Sequence, residues 1–207
     1  HPRKVVTTGD GGMLTTANAE YDSKFRLWRQ HSMSVADTVR HGSSQVIYES
    51  YPELGYNYRM TDLQAALGRV QLRRLPGLVA RRRQLAGQYL QGLAGIPGLE
   101  PPSEPSWART NWQSYCVRLS GWLDQRATMQ ALLDRGIATR RGVMNIHREQ
   151  AYAEPDTHRI ASSLRRSVAA QDGTIILPLF AQMSDADLSR VVQAFREVAA
   201  AGDRPAA

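Results

Sequence analysis

One cysteine, Cys116, stands in 207 residues, so no internal disulfide can brace this fold. A reducing cytoplasm is the expected compartment. No apolar run approaches the ~18–20 residues that a membrane-spanning helix needs. No signal-peptide pattern is present either, and the reading is a soluble protein with no membrane partner. His31, His41, His147 and His158 stand apart, without an H-x-x-x-H or Cys/His cluster, and no metal site is expected. A G-x-S-x-G elbow is absent, which argues against a serine hydrolase. The Gly9-Asp10-Gly11-Gly12 stretch lacks the frame of a dinucleotide or nucleotide-phosphate loop and reads as a turn.

Acidic residues are also short, 19 against 26 Lys and Arg, for a net charge of +7. A basic chain suits nucleic acid or a phosphate-bearing small molecule. The basic residues are dispersed, however. The densest groups, Arg73-Arg74 and Arg81-Arg82-Arg83, fall in a helical pattern and read as a solvated face. No zinc-finger, helix-turn-helix or RNP-like signature accompanies them, so no nucleic-acid partner is expected.

The 42% apolar share is enough for a core. Val5–Thr8 and Met13–Thr16 flank the glycine turn and predict a hairpin. A short helix is expected over Glu20–Gln30, then a polar loop over Ser32–Ser50. Thr61 followed by Gln64 is a capping box. Leu63, Ala66, Leu67 and Val70 then recur at helical spacing. Pro76-Gly77 is expected to break or kink that helix, which resumes to about Leu93. Residues 95–105 read as a connector. Beyond it come a strand in 111–120, a helix over Asp124–Arg135 closed by Gly136, and a strand in 136–144. A loop over 147–155, a helix over Ile160–Ala170 and a strand in 173–180 follow. Ser184 and Asp187 cap a last helix whose buried face is Leu188, Val191, Val192, Phe195 and Val198. The Ala-rich tail from Ala199 is expected to fray. This alternation of strands and helices predicts an α/β class.

Five stretches, in order, resemble one family: "HPRKVVTTGDGGMLTT", "RLWRQHSMS", "GYNYRMTDLQAALGRVQL", "GIATRRGVMNIH…AY" and "GTIILPLFAQMSDADL". They are similar to the DegT/DnrJ/StrS sugar aminotransferases, over residue 1 to about residue 198. The resemblance implies the aspartate-aminotransferase architecture (pyridoxal-phosphate fold type I), here the end of the large domain plus the small α/β domain. It implies pyridoxal 5'-phosphate (PLP) as cofactor, a nucleotide-linked keto-sugar as amino acceptor and glutamate as donor. It further implies a homodimer with shared active sites.

The lysine of the first motif, Lys4 here, is implied to form the Schiff base with PLP. A transaminase needs an amine that holds the cofactor, gives way to the amino donor and then moves a proton between Cα and C4′. A related branch carries histidine there and deoxygenates sugars instead, so Lys4 favours transamination. The asparagine of the third motif, Asn57, is implied to donate to the PLP phosphate of the neighbouring subunit. An amide NH₂ suits that role, and Tyr58 or Arg59 can orient its loop. His147 matches a position near the substrate entrance, and His147 and Arg59 are the substrate-side candidates.

Family members also carry an N-terminal half with the phosphate cradle, the ring-stacking aromatic and the acid facing the pyridine nitrogen. A serine that touches the phosphate usually precedes the lysine motif. Only three residues precede Lys4, so the chain reads as the C-terminal part of such an enzyme, expected to be inactive alone. The expected division is 1–60 as the trailing part of the large domain, 61–105 as linker helices and connector, and 106–207 as the small domain. Two other readings stay open: a non-catalytic remnant or dimerisation module, and a basic nucleic-acid-binding protein.

Overall fold

The computed structural model describes residues 1, 3–120, 122–154 and 158–201. The chain folds as two compact units, His1–Leu75 and Pro76 onward. No helix among the described residues is long and apolar enough to cross a membrane.

In the first unit, α1 spans Ala19–Trp28. Its first-turn amides would be orphaned without a cap. Asn18 Oδ1 meets that need, accepting from the N–H groups of Glu20 (2.8 Å) and Tyr21 (3.2 Å). Ion pairs Glu20–Lys24 and Asp22–Arg26 lie one turn apart on its surface. A short α2, Asp37–Gly42, interrupts what the sequence presents as a loop. The predicted hairpin does not form: residues 3–18 hold turns and bends but no strand. A strand needs a ladder partner for its N–H and C=O groups, and this segment instead makes local bonds. The Thr7 hydroxyl accepts from Gly9 N and donates to Gly9 O.

Helix α3, Asp62–Leu93, opens with the expected box. Thr61 N donates to Gln64 Oε1 (3.0 Å), and Gln64 N donates to Thr61 Oγ1 (3.3 Å). Pro76 neither ends nor divides it. Proline removes one donor from a helix interior; the remaining bonds of a 32-residue helix carry it through. The division between the two units nonetheless falls at that proline.

The second unit is built on strands β1 (Leu99–Glu100), β2 (Tyr115–Leu119), β3 (Arg140–Arg141) and β4 (Thr174–Leu177). They form one antiparallel sheet in the order β1-β2-β4-β3. Cys116 pairs with Ile176 in the central register. The helices are α4 (Gln125–Leu133), α5 (Arg165–Gly173) and α6 (Asp185–Ala201). β2, α4 and β3 make a split β-α-β unit with β4 inserted between its strands. Alternation along β2 sends Tyr115, Val117 and Leu119 inward. They meet Leu85, Tyr89 and Leu93 of α3, Ile175 and Leu177 of β4, and the apolar stripe of α6. That stripe holds all five residues expected from its spacing.

Several boundaries differ from the sequence reading. Of the expected strand in 136–144 only Arg140–Arg141 pairs, and α5 starts at Arg165 rather than Ile160. The loop after residue 146 contains two short 3-10 turns, Ile146–Arg148 and Gln150–Tyr152, and its last residue, Pro155, lies outside the described residues. Ala199 does not fray: it is buried within α6, and the tail beyond Ala201 lies outside the described residues.

Among the described residues, buried Arg82 of α3 finds no carboxylate. Its Nη1 donates to the carbonyls of Trp112 (3.0 Å) and Leu179 (3.0 Å), tying two loops to the helix. Burial lowers its pKa from the usual arginine value.

Candidate functional site

Lys4 lies in a turn closed by its own N–H on His1 O (3.1 Å), and its side chain is exposed rather than enclosed. The segment that follows it is laced to the start of α3. Gln64 Nε2 donates to Asp10 O (2.8 Å), and Thr8 packs so close to Gly68 that an added Cβ would lie 3.0 Å from Thr8 Cγ2. The chain has two lysines. Lys24 is engaged by Glu20 at 3.0 Å, which leaves Lys4 as the lysine without an ion-pair partner among the described residues.

Asn57 precedes the same helix start on a short extended segment. That segment pairs with the chain leaving α1: Tyr56 N donates to Trp28 O (2.6 Å), His31 N to Tyr56 O (2.9 Å) and Tyr58 N to Arg29 O (2.9 Å). Asn57 itself bridges Gln30 in antiparallel register. Two features force this pairing. His31 and Ser32 both adopt left-handed backbone conformations, with φ of 63° and 61°. Gly55 is fitted so tightly beneath them that any Cβ would collide with the backbone of His31 and Ser32. Ser32 is 0% exposed and its hydroxyl has no hydrogen-bond partner among the described residues. Asn57 is thus an exposed amide on a stiffly held segment. Tyr56 and Tyr58, on either side of it, stack with centroids 5.1 Å apart. Arg59 is exposed just ahead of the capping box. Lys4 and Asn57 share no hydrogen bond or ion pair with each other; what joins their segments is the N-terminal end of α3.

His147 belongs to the second unit, on the Ile146–Arg148 turn. It lines an open cleft of about 510 Å³ whose other walls include Ile160, Leu164, Arg165, Val168 and Ala169. The turn is strapped to α5. Gln171 Oε1 accepts from Asn145 N (2.7 Å) and Asn145 Nδ2 (2.8 Å), and Arg148 Nη1 donates to both Asp172 oxygens (2.7 and 2.8 Å). The sequence reading passed over Gln171, Asn145 and the His31-Ser32 turn. A glutamine in a helix and a serine in a loop carry no local pattern that marks them. Among the described residues no group of three His, Cys, Asp or Glu side chains is placed to hold a metal.

Comparison with known proteins finds relatives over nearly the whole chain. The spore coat polysaccharide biosynthesis protein SpsC of Bacillus subtilis is 32% identical over 210 residues, covering 97% of this chain and 52% of that protein. The aminotransferase TlmJ of Streptoalloteichus hindustanus superposes with a TM-score of 0.79 at 31% identity, over 95% of this chain and 50% of its own. DesV of S. venezuelae, solved in complex with a ketimine intermediate, gives 0.74 at 28% identity, over 89% and 46%. The chain therefore spans about half the length of the proteins it matches. Residues 1–196, from the exposed Lys4 through the α6 stripe, match one family description, and the chain belongs to the DegT/DnrJ/EryC1/StrS aminotransferase family.

Proposed function

We propose that this chain is the C-terminal part of a PLP-dependent aminotransferase that moves an amino group from glutamate to a nucleotide-linked keto-sugar. The observation that carries this reading is Lys4. It is exposed, has no ion-pair partner among the described residues, and opens the motif that resembles the family's cofactor lysine, whose Asp10 carbonyl is held to the start of α3. The donor chemistry fits PLP at both ends: a primary amine for its aldehyde and an uncharged amide for its phosphate. Bound PLP supplies an electron sink that lets the Cα proton of an amino acid leave.

The residues of this chain then divide the work. Lys4 Nζ would hold the cofactor and, when freed, would carry the proton between Cα and C4′. Asn57 Nδ2 would donate to the phosphate of a cofactor bound in a second copy, and the pairing of 28–31 with 56–58 holds its segment in place. Arg59, in the first unit, and His147, in the second, are each assigned a substrate-side role. In the complete homodimer, residues 1–60 close the large domain, 61–105 link, and 106–207 form the small domain, in the cytoplasm.

A second reading, a non-catalytic dimerisation module of such an enzyme, is favoured by one observation. Leu63, Leu67 and Val70 are exposed at helical spacing on α3. One experiment separates the two. Borohydride reduction of the complete PLP-loaded polypeptide, followed by peptide mapping, should place the pyridoxyl group on Lys4, and Lys4→Ala should abolish turnover. An adduct on another lysine, or retained turnover in Lys4→Ala, overturns the assignment of Lys4; a parent protein with neither adduct nor turnover favours the dimerisation module.

A further inference from the structure

Gln171 lies on α5, 5% exposed, with its side-chain oxygen turned onto a single residue of another segment. That oxygen accepts from both the backbone and the side-chain N–H groups of Asn145, while Asn145 Nδ2 also donates to Ser167 O (3.0 Å). Burying an amide is unfavourable unless its hydrogen bonds are made. An apolar side chain of similar shape would fill the same space without that demand. What the amide adds is a fixed position for the strap Gly142–Arg148. Gly142 lies so close to α5 that an added Cβ would sit 2.7 Å from Ala170 O. On the far side of Ile146-His147, Arg148 grips Asp172 of the same helix. His147 is therefore held between two anchors on one end of α5 while it lines the cleft beside the other end, at Leu164–Ala169. Gln125 Nε2, from α4, caps the carbonyls of Gln171 (2.8 Å) and Thr174 (2.6 Å), fixing the anchored end in turn.

We propose that Gln171, acting through Asn145, is a positioning residue that sets the imidazole of His147 toward the amino-acceptor sugar. The proposal rests on the reading of His147 as substrate-side. Catalytic groups displaced by about 1 Å lose on the order of a hundred-fold in rate, so a loosened strap has a measurable cost.

The test uses the complete enzyme and four variants: Gln171→Met, which keeps the shape and loses the acceptor; Gln171→Glu, which keeps the acceptor; His147→Ala; and the Gln171→Met/His147→Ala double. Turnover is followed with a panel of TDP-, UDP- and GDP-linked keto-sugars. Hydrogen exchange at residues 145–148 is followed with no sugar present. Gln171→Met should raise exchange in the strap and lower kcat/KM for the sugar about ten-fold, the effect of one or two net hydrogen bonds. The KM for glutamate should stay unchanged. Gln171→Glu should stay within two-fold of the parent. In the His147→Ala background Gln171→Met should cost less than two-fold more, because a residue that acts only through His147 has nothing left to position. Full additivity, or exchange at 145–148 that ignores Gln171→Met, overturns the positioning role alone. A silent His147→Ala overturns the substrate-side reading and the proposal with it. Should Gln171→Met not fold, Asn145→Ala removes the side-chain bonds to Gln171 and Ser167 while keeping the backbone bond, and must give the same pattern at smaller amplitude.

Discussion

Ser32 combines two unfavourable features at one position. Its φ of 61° is a left-handed conformation that costs a side-chain-bearing residue roughly 1–2 kcal/mol. Its hydroxyl is buried without a partner among the described residues. Strain of this kind persists where the surroundings over-determine it, and such positions cluster at functional sites. Here the surroundings are the Trp28–His31 and Tyr56–Tyr58 pairing that presents Asn57. Ser32→Gly should relieve both costs, offset by roughly 0.5–1 kcal/mol of glycine backbone entropy, for a net gain of about 1 kcal/mol. Urea denaturation of the complete enzyme measures it; unchanged or lower stability would show that the hydroxyl has an unseen role. At the same scale Asn57→Ala should weaken PLP binding about ten- to a hundred-fold, the effect of one hydrogen bond to a charged group. Titration of the cofactor absorbance tests this.

Among the elements, the connector before β2 is fixed by one carboxylate. Glu104 accepts from Arg83 Nη1 (2.8 Å), Arg83 Nη2 (2.9 Å) and Thr110 N (2.7 Å). The Arg83 bonds first, and the Thr110 amide second, hold its pKa below the ordinary 4.5. Asp187, which caps α6, is lowered from 3.8 chiefly by its bond from the Ser184 hydroxyl. Both groups bind protons less readily folded than unfolded. Their contribution is therefore complete above the unfolded values and lost as pH falls through the lowered folded ones. The melting temperature should be flat above about pH 6 and should fall steadily below about pH 4.5. Glu104→Gln should make that fall shallower. A profile that Glu104→Gln leaves unaltered would mean the connector is held by its backbone alone.

For the molecule as a whole, the N-terminal half of α3 presents an exposed apolar face. Leu63 is 86% exposed, and Leu67 and Val70 lie along the same face. Exposed apolar patches mark interaction sites or association liabilities. The 207-residue chain alone should therefore self-associate in sedimentation and show no amino transfer from glutamate to a nucleotide-linked keto-sugar. Measurable transfer would mean that it completes a cofactor site unaided. The proposed reach of Asn57 across a dimer has its own consequence. Mixing inactive Lys4→Ala and Asn57→Ala subunits of the complete enzyme should restore activity, because each hybrid keeps one intact site. Mixtures that stay inactive while subunits demonstrably exchange would place Asn57 in its own subunit's site.

Features that span three or four residues were legible in the sequence. The Thr61–Gln64 and Ser184–Asp187 boxes, the stripe of α6 and the glycine that closes α4 all formed as expected. Gly136 has a φ of 74°, and the amide after it returns to Leu132 O at 2.9 Å. Their donors and acceptors sit within one turn, so the local sequence contains the whole interaction. The five motifs likewise named the family, since they are strings of neighbours. Tertiary structure decided what depends on distant partners. The hairpin after Lys4 finds no strand to pair with, and Pro76 is carried by the bonds on either side of it. The expected strand in 136–144 shrinks to the two residues that β4 can reach. The placement of His147 was decided in the same way, by a bond from Asn145 to a glutamine 26 residues further along the chain. No periodicity records such a bond, because its energy exists only once α5 has packed.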